Sequence, residues 1–155
     1  MLLEKTPTTA GELGTPTTAQ SILKVAKRMK NKSYISNATQ NDGVLFEQDI
    51  KIILDDKNIA ILKHNVGIYD PVTNVKLGEI DFEIGNTIIE STVGTTSKTS
   101  QMKKYTEDYP TLFNPGNKRI VIYGPQYRTG AIENEITSRG GIVIREFEDF
   151  LNLLR

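Results

Sequence analysis

Asp81 and Glu90 are the two residues whose types and spacing best suit them to act together. They lie in the stretch 78–92, Gly-Glu-Ile-Asp-Phe-Glu-Ile-Gly-Asn-Thr-Ile-Ile-Glu-Ser-Thr. Two β-rich runs flank Gly85-Asn86, a dipeptide that reads as a two-residue hairpin turn. With those residues as the loop, Ile84 sits opposite Thr87, Asp81 falls directly across from Glu90, and Glu79 faces Thr92. Directly opposed residues share one face of a sheet. Like charges so placed repel unless something offsets them, and a hard divalent cation with oxygen ligands is the economical candidate. The competing reading is a solvated acidic face on an amphipathic hairpin. Ile80, Phe82, Ile84 and Ile89 make up the expected buried side.

The elements around this hairpin follow from pattern and punctuation. Thr18 is placed to cap a helix over 19–32, with Ile22, Val25, Ala26 and Met29 on one side and Lys24, Lys27, Arg28 and Lys30 on the polar side. That basic face reads as solvated in preference to a dedicated phosphate contact. Asp42-Gly43 opens a second helix running to about 55, where Phe46, Ile50, Ile53 and Leu54 form a buried stripe and Glu47 lies at its boundary. Strands follow at 59–63 and 66–69, then turn signals at Asp70-Pro71 and Thr73-Asn74. Beyond the hairpin the pattern gives a helix over 98–112, a buried-type strand over 118–123, a helix over 129–139, a strand over 142–145 and a closing helix over 148–154. Such an order predicts an α/β fold, with a mixed central sheet and helices on both faces.

Composition narrows the chemistry. A chain of 155 residues with 37% hydrophobic and 25% charged residues suits one soluble globular domain. No apolar run approaches the roughly 20 residues that span a bilayer, and Met1-Leu2-Leu3 followed by Glu4 and Lys5 is no signal-peptide pattern. With no cysteine and one histidine, disulfides, thiolate chemistry and multi-His metal sites are excluded. The net charge is zero but unevenly placed: residues 1–40 hold six Lys/Arg against two Asp/Glu, 41–97 hold four against ten, and 98–155 hold nine against seven. This is no generic basic nucleic-acid binder, yet an acidic centre between basic segments is compatible with a metal site beside a phosphate-binding rim. Thr-Pro-Thr-Thr occurs at 6–9 and again at 15–18. The division expected is a Thr/Pro-rich leader with a short basic helix over 1–40 and the main domain over 41–155.

The helix after the hairpin carries Gln101 and Tyr105 four residues apart, with Lys98 three before Gln101, all near one face. With Glu47, Asp81 and Glu90 added, the chain resembles the PD-(D/E)XK nuclease superfamily, the restriction-endonuclease-like fold, over roughly 42–123. Gly78-Glu79-Ile80-Asp81 looks like its Asp-bearing strand, Glu90-Ser91-Thr92 like its (D/E)-x-K strand, and Gln101-x-x-x-Tyr105 like the RecB-type helix. Glu47 sits where many members place a helix carboxylate. The family's α-β-β-β-α-β core is implied, with an extra N-terminal helix. One departure stands out: the lysine expected at position 92 is a threonine. Lys98 is the first choice to replace it, ahead of Lys103 and Lys104, and the alternative is a site that has lost activity.

The resemblance implies metal-assisted phosphodiester hydrolysis. Asp81 and Glu90 would bind Mg²⁺, or Mn²⁺ or Zn²⁺, with Glu47 and the Glu90-Ser91 carbonyl region assisting. Lys98 would stabilise developing negative charge. Gln101 and Tyr105 would position substrate or brace Lys98, and Thr92 would hold a water. His64, a conceivable general base, is left outside the primary site, and Arg128, Arg139 and Arg145 read equally as phosphate contacts or solvated positions. By layout the chain also resembles the C-terminal toxin domain of a bacterial contact-dependent growth inhibition or polymorphic toxin system. That implies export as part of a larger toxin, action in the target-cell cytoplasm (a plain cytoplasmic enzyme otherwise), and a cognate immunity protein. A nuclease toxin cutting tRNA is the favoured reading. A DNA endonuclease of restriction or resolvase type and a non-catalytic binding module stand as the alternatives.

Overall fold

A computed structural model of the chain describes residues 18–155; the Thr/Pro-rich leader lies outside them. The elements run α1 (Ala19–Lys30), α2 (Gly43–Asp56), β1 (Ile61–Tyr69), β2 (Lys76–Ile84), β3 (Thr87–Ser91), α3 (Thr99–Lys103), α4 (Pro110–Phe113), β4 (Arg119–Tyr123), α5 (Ala131–Thr137), β5 (Ile142–Ile144) and α6 (Phe147–Leu153). The five strands form one sheet in the order β1-β2-β3-β4-β5. β1, β2 and β3 pair antiparallel through tight connections, whereas β3, β4 and β5 pair parallel across helical crossovers. The fold is therefore α/β with a mixed sheet.

Alternation along the central strands builds two cores. Ile88, Ile120 and Ile122 pack with Met102, Tyr105, Phe113 and Ile136 on one face. Ile89, Val121 and Tyr123 pack with Val25, Met29, Phe46, Ile50 and Phe150 on the other. All five residues of β3 are buried, as expected of a strand covered on both faces. Gly85 takes a φ of 43° in the hairpin turn, a backbone state that favours glycine.

Three local features differ from the pattern-based expectation. β1 is continuous where two short strands are predicted, although Asn65 within it has a φ of 54°; asparagine is among the few residues that tolerate the left-handed region. The helix predicted over 98–112 is divided. It widens into a π-type turn over Lys104–Asp108 and restarts as α4 at Pro110. Proline disfavours helical backbone at the residue before it, and Tyr109 is accordingly non-helical, with a φ of −140°. Finally, Arg28 is not on a solvated face.

Arg28 grips Asp49 of α2 through two bonds of 2.7 Å, and the Tyr34 hydroxyl donates to the same carboxylate at 2.7 Å. Asp49 is only 1% exposed, so its charge depends on these donors. Together with Val25 and Met29 they fix α1 onto the same core as α2 and α6. At the N-terminus of α1 the Thr18 Oγ accepts from the Ser21 N–H at 3.2 Å and the Thr18 N–H donates to Ser21 Oγ at 3.0 Å, a reciprocal cap.

Removing one partner of a buried ion pair leaves the other charge uncompensated, at a cost of about 3–5 kcal/mol. Asp49→Ala is expected to lower unfolding stability in urea by about 3 kcal/mol, the lower end of that range, because the Arg28 side chain is 24% exposed. The double variant Arg28→Met/Asp49→Leu is expected to recover much of the loss. Equal stability of Asp49→Ala and the parent chain would show that the clamp contributes nothing.

Candidate active site

The β2–β3 ladder pairs Ile84 with Thr87, Glu83 with Ile88 and Phe82 with Ile89, the register expected from a Gly85-Asn86 turn. Beyond that point side chains replace the ladder. The Asp81 N–H donates to Glu90 Oε2 at 3.3 Å, and the Ser91 N–H donates to Asp81 Oδ2 at 2.9 Å, with Ser91 Oγ also 3.3 Å from Oδ2. Asp81 and Glu90 are thus brought together at a fork where the two strands part. β1 is irregular at the same level: Asn65 lies between the pairs His64–Phe82 and Val66–Ile80, opposite Asp81. Ile80 and Phe82 consequently fall in opposite cores. This corrects the expectation that Ile80 shares one buried face with Phe82, Ile84 and Ile89. The interruption of alternation at Asp81 turns Ile80 toward Ile88 and Met102 instead.

Glu90 is 2% exposed. Burial, and next the nearby charge of Asp81, push its carboxyl up to about 8, against the opposing effect of the Tyr105 hydroxyl, which donates to Oε2 at 2.6 Å. Asp81 is also raised, first by burial, while the Ser91 bonds and the Lys98 charge act the other way. Glu47, on α2, is raised by burial and then by Asp81, with the Asn65 side chain and Lys98 opposing. Lys98 therefore acts electrostatically on all three carboxylates. Among the described residues Lys98 forms no ion pair. Its own backbone N–H is anchored on the Tyr127 hydroxyl at 2.9 Å, just before α3. Lys104 Nζ instead lies near Gly78 and Phe113.

Gln101 Nε2 donates to the Glu79 carbonyl at 2.9 Å. Together with the Tyr105 bond to Glu90, it attaches the helical segment to both strands of the fork. Tyr105 lies in the π-type turn after α3, a local widening often found at functional positions. Thr92 continues out of β3, its N–H bonded to the Tyr123 carbonyl at 3.0 Å. Its methyl group packs close to Gly124, where an added Cβ would come within 2.9 Å.

His64 stacks on Phe82 with ring centroids 4.5 Å apart. Its Nε2 is buried without a hydrogen-bond partner, 3.7 Å from Glu47 Oε1. Burial, and next the Lys51 charge, lower its pKa, against the opposing effect of Asp81. Arg139 is committed to Glu107 and Glu135, and Arg145 to Glu133 and the Tyr127 carbonyl. Sequence reasoning missed Asn65. Its signal was the presence, within a β-rich run, of a residue type able to adopt positive φ.

As a metal site the fork offers two hard carboxylates. Among the described residues no group of three or more His, Cys, Asp or Glu is assembled to hold an ion. Two carboxylates are the number Mg²⁺ commonly takes from protein, with water and phosphate oxygens completing the set. The bonds made by the protein fall on Asp81 Oδ2 and Glu90 Oε2. The pair fits Mg²⁺ or Mn²⁺ better than Zn²⁺, which favours His and Cys.

Glu90 makes stability depend on pH with a definite sign. Its folded pKa lies above the unfolded value of 4.5, so the folded state retains a proton that the unfolded chain releases. That contribution is complete below the unfolded pKa and is lost as pH rises through the folded one. In EDTA the melting temperature is expected to fall between about pH 5 and about pH 9, and Glu90→Gln should flatten that slope. Added Mg²⁺ should raise the melting temperature of the parent chain in the upper half of the range. Parallel pH profiles for the two chains would remove Glu90 as the cause.

No family model matches the chain, and no curated protein or solved structure is significantly similar to it.

Proposed function

We propose that this chain is a metal-dependent nuclease that hydrolyses phosphodiester bonds, with tRNA the favoured substrate. The observation that carries this reading is that the Asp81 and Glu90 carboxylates each bond to backbone of the neighbouring strand at one fork, with the charge of Lys98 acting on both. A buried carboxylate beside a half-buried one, each resisting ionisation, is an arrangement common at functional sites and supports this reading.

Asp81 and Glu90 would hold the divalent cation, Mg²⁺ or Mn²⁺. The chemistry such an ion would supply there is Lewis-acid polarisation of a phosphoryl oxygen and a lowered pKa for a water molecule. Ser91 keeps the Asp81 carboxylate in place, and Tyr105 fixes Glu90 through Oε2. The Lys98 ammonium stabilises negative charge gathering on the phosphoryl oxygens. Glu47, raised by burial and by Asp81, would take up a proton from water at the edge of the site.

A non-catalytic binding module is the second reading. It is favoured by Thr92 standing where the resembled family has lysine, and by the near-complete burial of Glu90. In either case no helix among the described residues is long and apolar enough to cross a membrane. The toxin setting, export within a larger protein, action in a target-cell cytoplasm and protection by an immunity protein all belong to the nuclease proposal. An acidic partner covering Lys98 would fit it.

The test is incubation of the protein with total tRNA and, separately, plasmid DNA, each with Mg²⁺ or EDTA. Asp81→Ala and Glu90→Ala are expected to abolish a metal-dependent cleavage, and Lys98→Ala to reduce kcat about 10²–10³-fold. Cutting of plasmid in place of tRNA would identify a DNA endonuclease. Intact substrates in every lane would favour the binding module, and cleavage surviving EDTA and both carboxylate substitutions would place the chemistry elsewhere.

A further inference from the structure

A cleft of about 270 Å³ opens beside the fork, lined among others by Ser36, Asn41, Ser91, Thr92, Gly94 and Thr96. Ser91 belongs to both places: its backbone N–H and hydroxyl hold Asp81, and it forms part of the cleft wall. No charged residue lines the cleft; it offers hydroxyl, amide and backbone groups instead. Its volume is just below the roughly 300–1,000 Å³ typical of drug-sized ligands, so it suits one monomer unit and not an extended oligomer.

The wall across from Ser91 is held firmly. Ile35 and Asp42 exchange bonds: the Asp42 N–H donates to the Ile35 carbonyl at 2.8 Å, and the Ile35 N–H donates to Asp42 Oδ2 at 2.8 Å. Ser36 pairs with Asn41 across the same small loop. Tyr34, the residue before Ile35, is fixed twice, by its hydroxyl on Asp49 and by Gln126 Nε2 on its carbonyl. Gly94 closes against Ser36, since a Cβ there would lie 3.3 Å from the serine Oγ. A binding wall built this way loses little entropy when a ligand arrives.

We propose that this cleft is the subsite for a single unpaired nucleoside next to the scissile phosphate. The inference rests on the nuclease reading of the fork and assigns its substrate class. Phosphate recognition calls for cations or charge-assisted donors, which this lining lacks. Neutral hydroxyl and amide groups instead match the donor and acceptor edges of a base and a ribose 2′-hydroxyl. A nucleoside seated here has left its stack and its pairing partner, so the substrate is cut in a single-stranded loop or at an unpaired position.

The test uses the full chain labelled with ¹⁵N and titrated with adenosine, guanosine, cytidine and uridine. In parallel, cleavage of an RNA hairpin with an unpaired loop is compared with that of a fully paired duplex of the same sequence. At least one nucleoside is expected to shift the amides of Ser36, Asn41, Gly94 and Thr96 saturably. The Ser36→Ala/Thr96→Val variant, its fold checked by the rest of the spectrum, should bind about fivefold more weakly. The parent chain should cut the loop about tenfold faster than the duplex or better, and the variant should narrow that preference. Cleavage without any amide shift at the cleft, or a duplex cut as fast as the loop, overturns the subsite. Nucleoside binding with no cleavage of any nucleic acid sinks the nuclease reading while the cleft stands as a nucleoside site. Neither binding nor cleavage overturns both.

Discussion

The repulsion between two carboxylates at a strand fork is the constraint on which the rest of this structure turns. Asp81 and Glu90 sit where the β2–β3 ladder ends, and Glu90 is withdrawn almost completely from water. Such a pair is tolerated only if a proton, a cation or fixed donors offset it. The fold supplies several partial answers: the Ser91 N–H on Asp81, the Tyr105 hydroxyl on Glu90, and the Lys98 charge acting on both. None neutralises the pair through a direct ion pair. The site is therefore left with a strong preference for taking up positive charge, which is the physical content of the proposed function.

That arrangement depends on a distortion passing through two neighbouring strands. Asn65 takes a left-handed backbone state directly opposite Asp81, and side-chain alternation in β2 is interrupted at the same level. Asp81 can then turn its carboxylate to the backbone of β3 and accept from an N–H that a regular ladder would have paired otherwise. The helical segment after β3 fastens to the opened fork through Gln101 and Tyr105. Such local irregularity is tolerated because the neighbouring strands β3 and β4 are buried along most of their length.

A second buried charge, Asp49, serves the scaffold. Its carboxylate is saturated by Arg28 and Tyr34, so it joins α1 and the following loop to α2 without any need for an external ion. The contrast with Glu90 is informative. Both acids are nearly inaccessible, but one is fully answered by guanidinium and hydroxyl donors while the other has a hydroxyl, a long backbone contact and a lysine at a distance. The firmly held loop after α1 also forms one wall of the cleft beside the fork, which connects the clamp to the proposed nucleoside subsite.

Much of this was legible in the chain itself. Periodicity and turn residues determined the α/β class, the order of elements, the Thr18 cap and the hairpin register, because each follows from local backbone preference and from which residues must leave water. Extending that register predicted Asp81 across from Glu90; in the structure the ladder ends at Phe82–Ile89, and bonds from backbone N–H groups to the two carboxylates bring them together beyond it. Other features belong to the tertiary structure. Arg28 looked solvated because its partner lies on another helix, and β1 looked like two short strands although it runs unbroken through Asn65 with its positive φ. Ile80 changed sides because alternation assumes an uninterrupted ladder. The burial of Glu90, the bond that anchors Lys98 on Tyr127 and the cleft shared through Ser91 likewise depend on long-range packing. Sequence fixes what each segment prefers, whereas the dielectric, the donors and the distances that give a carboxylate its chemistry are set by residues far away along the chain.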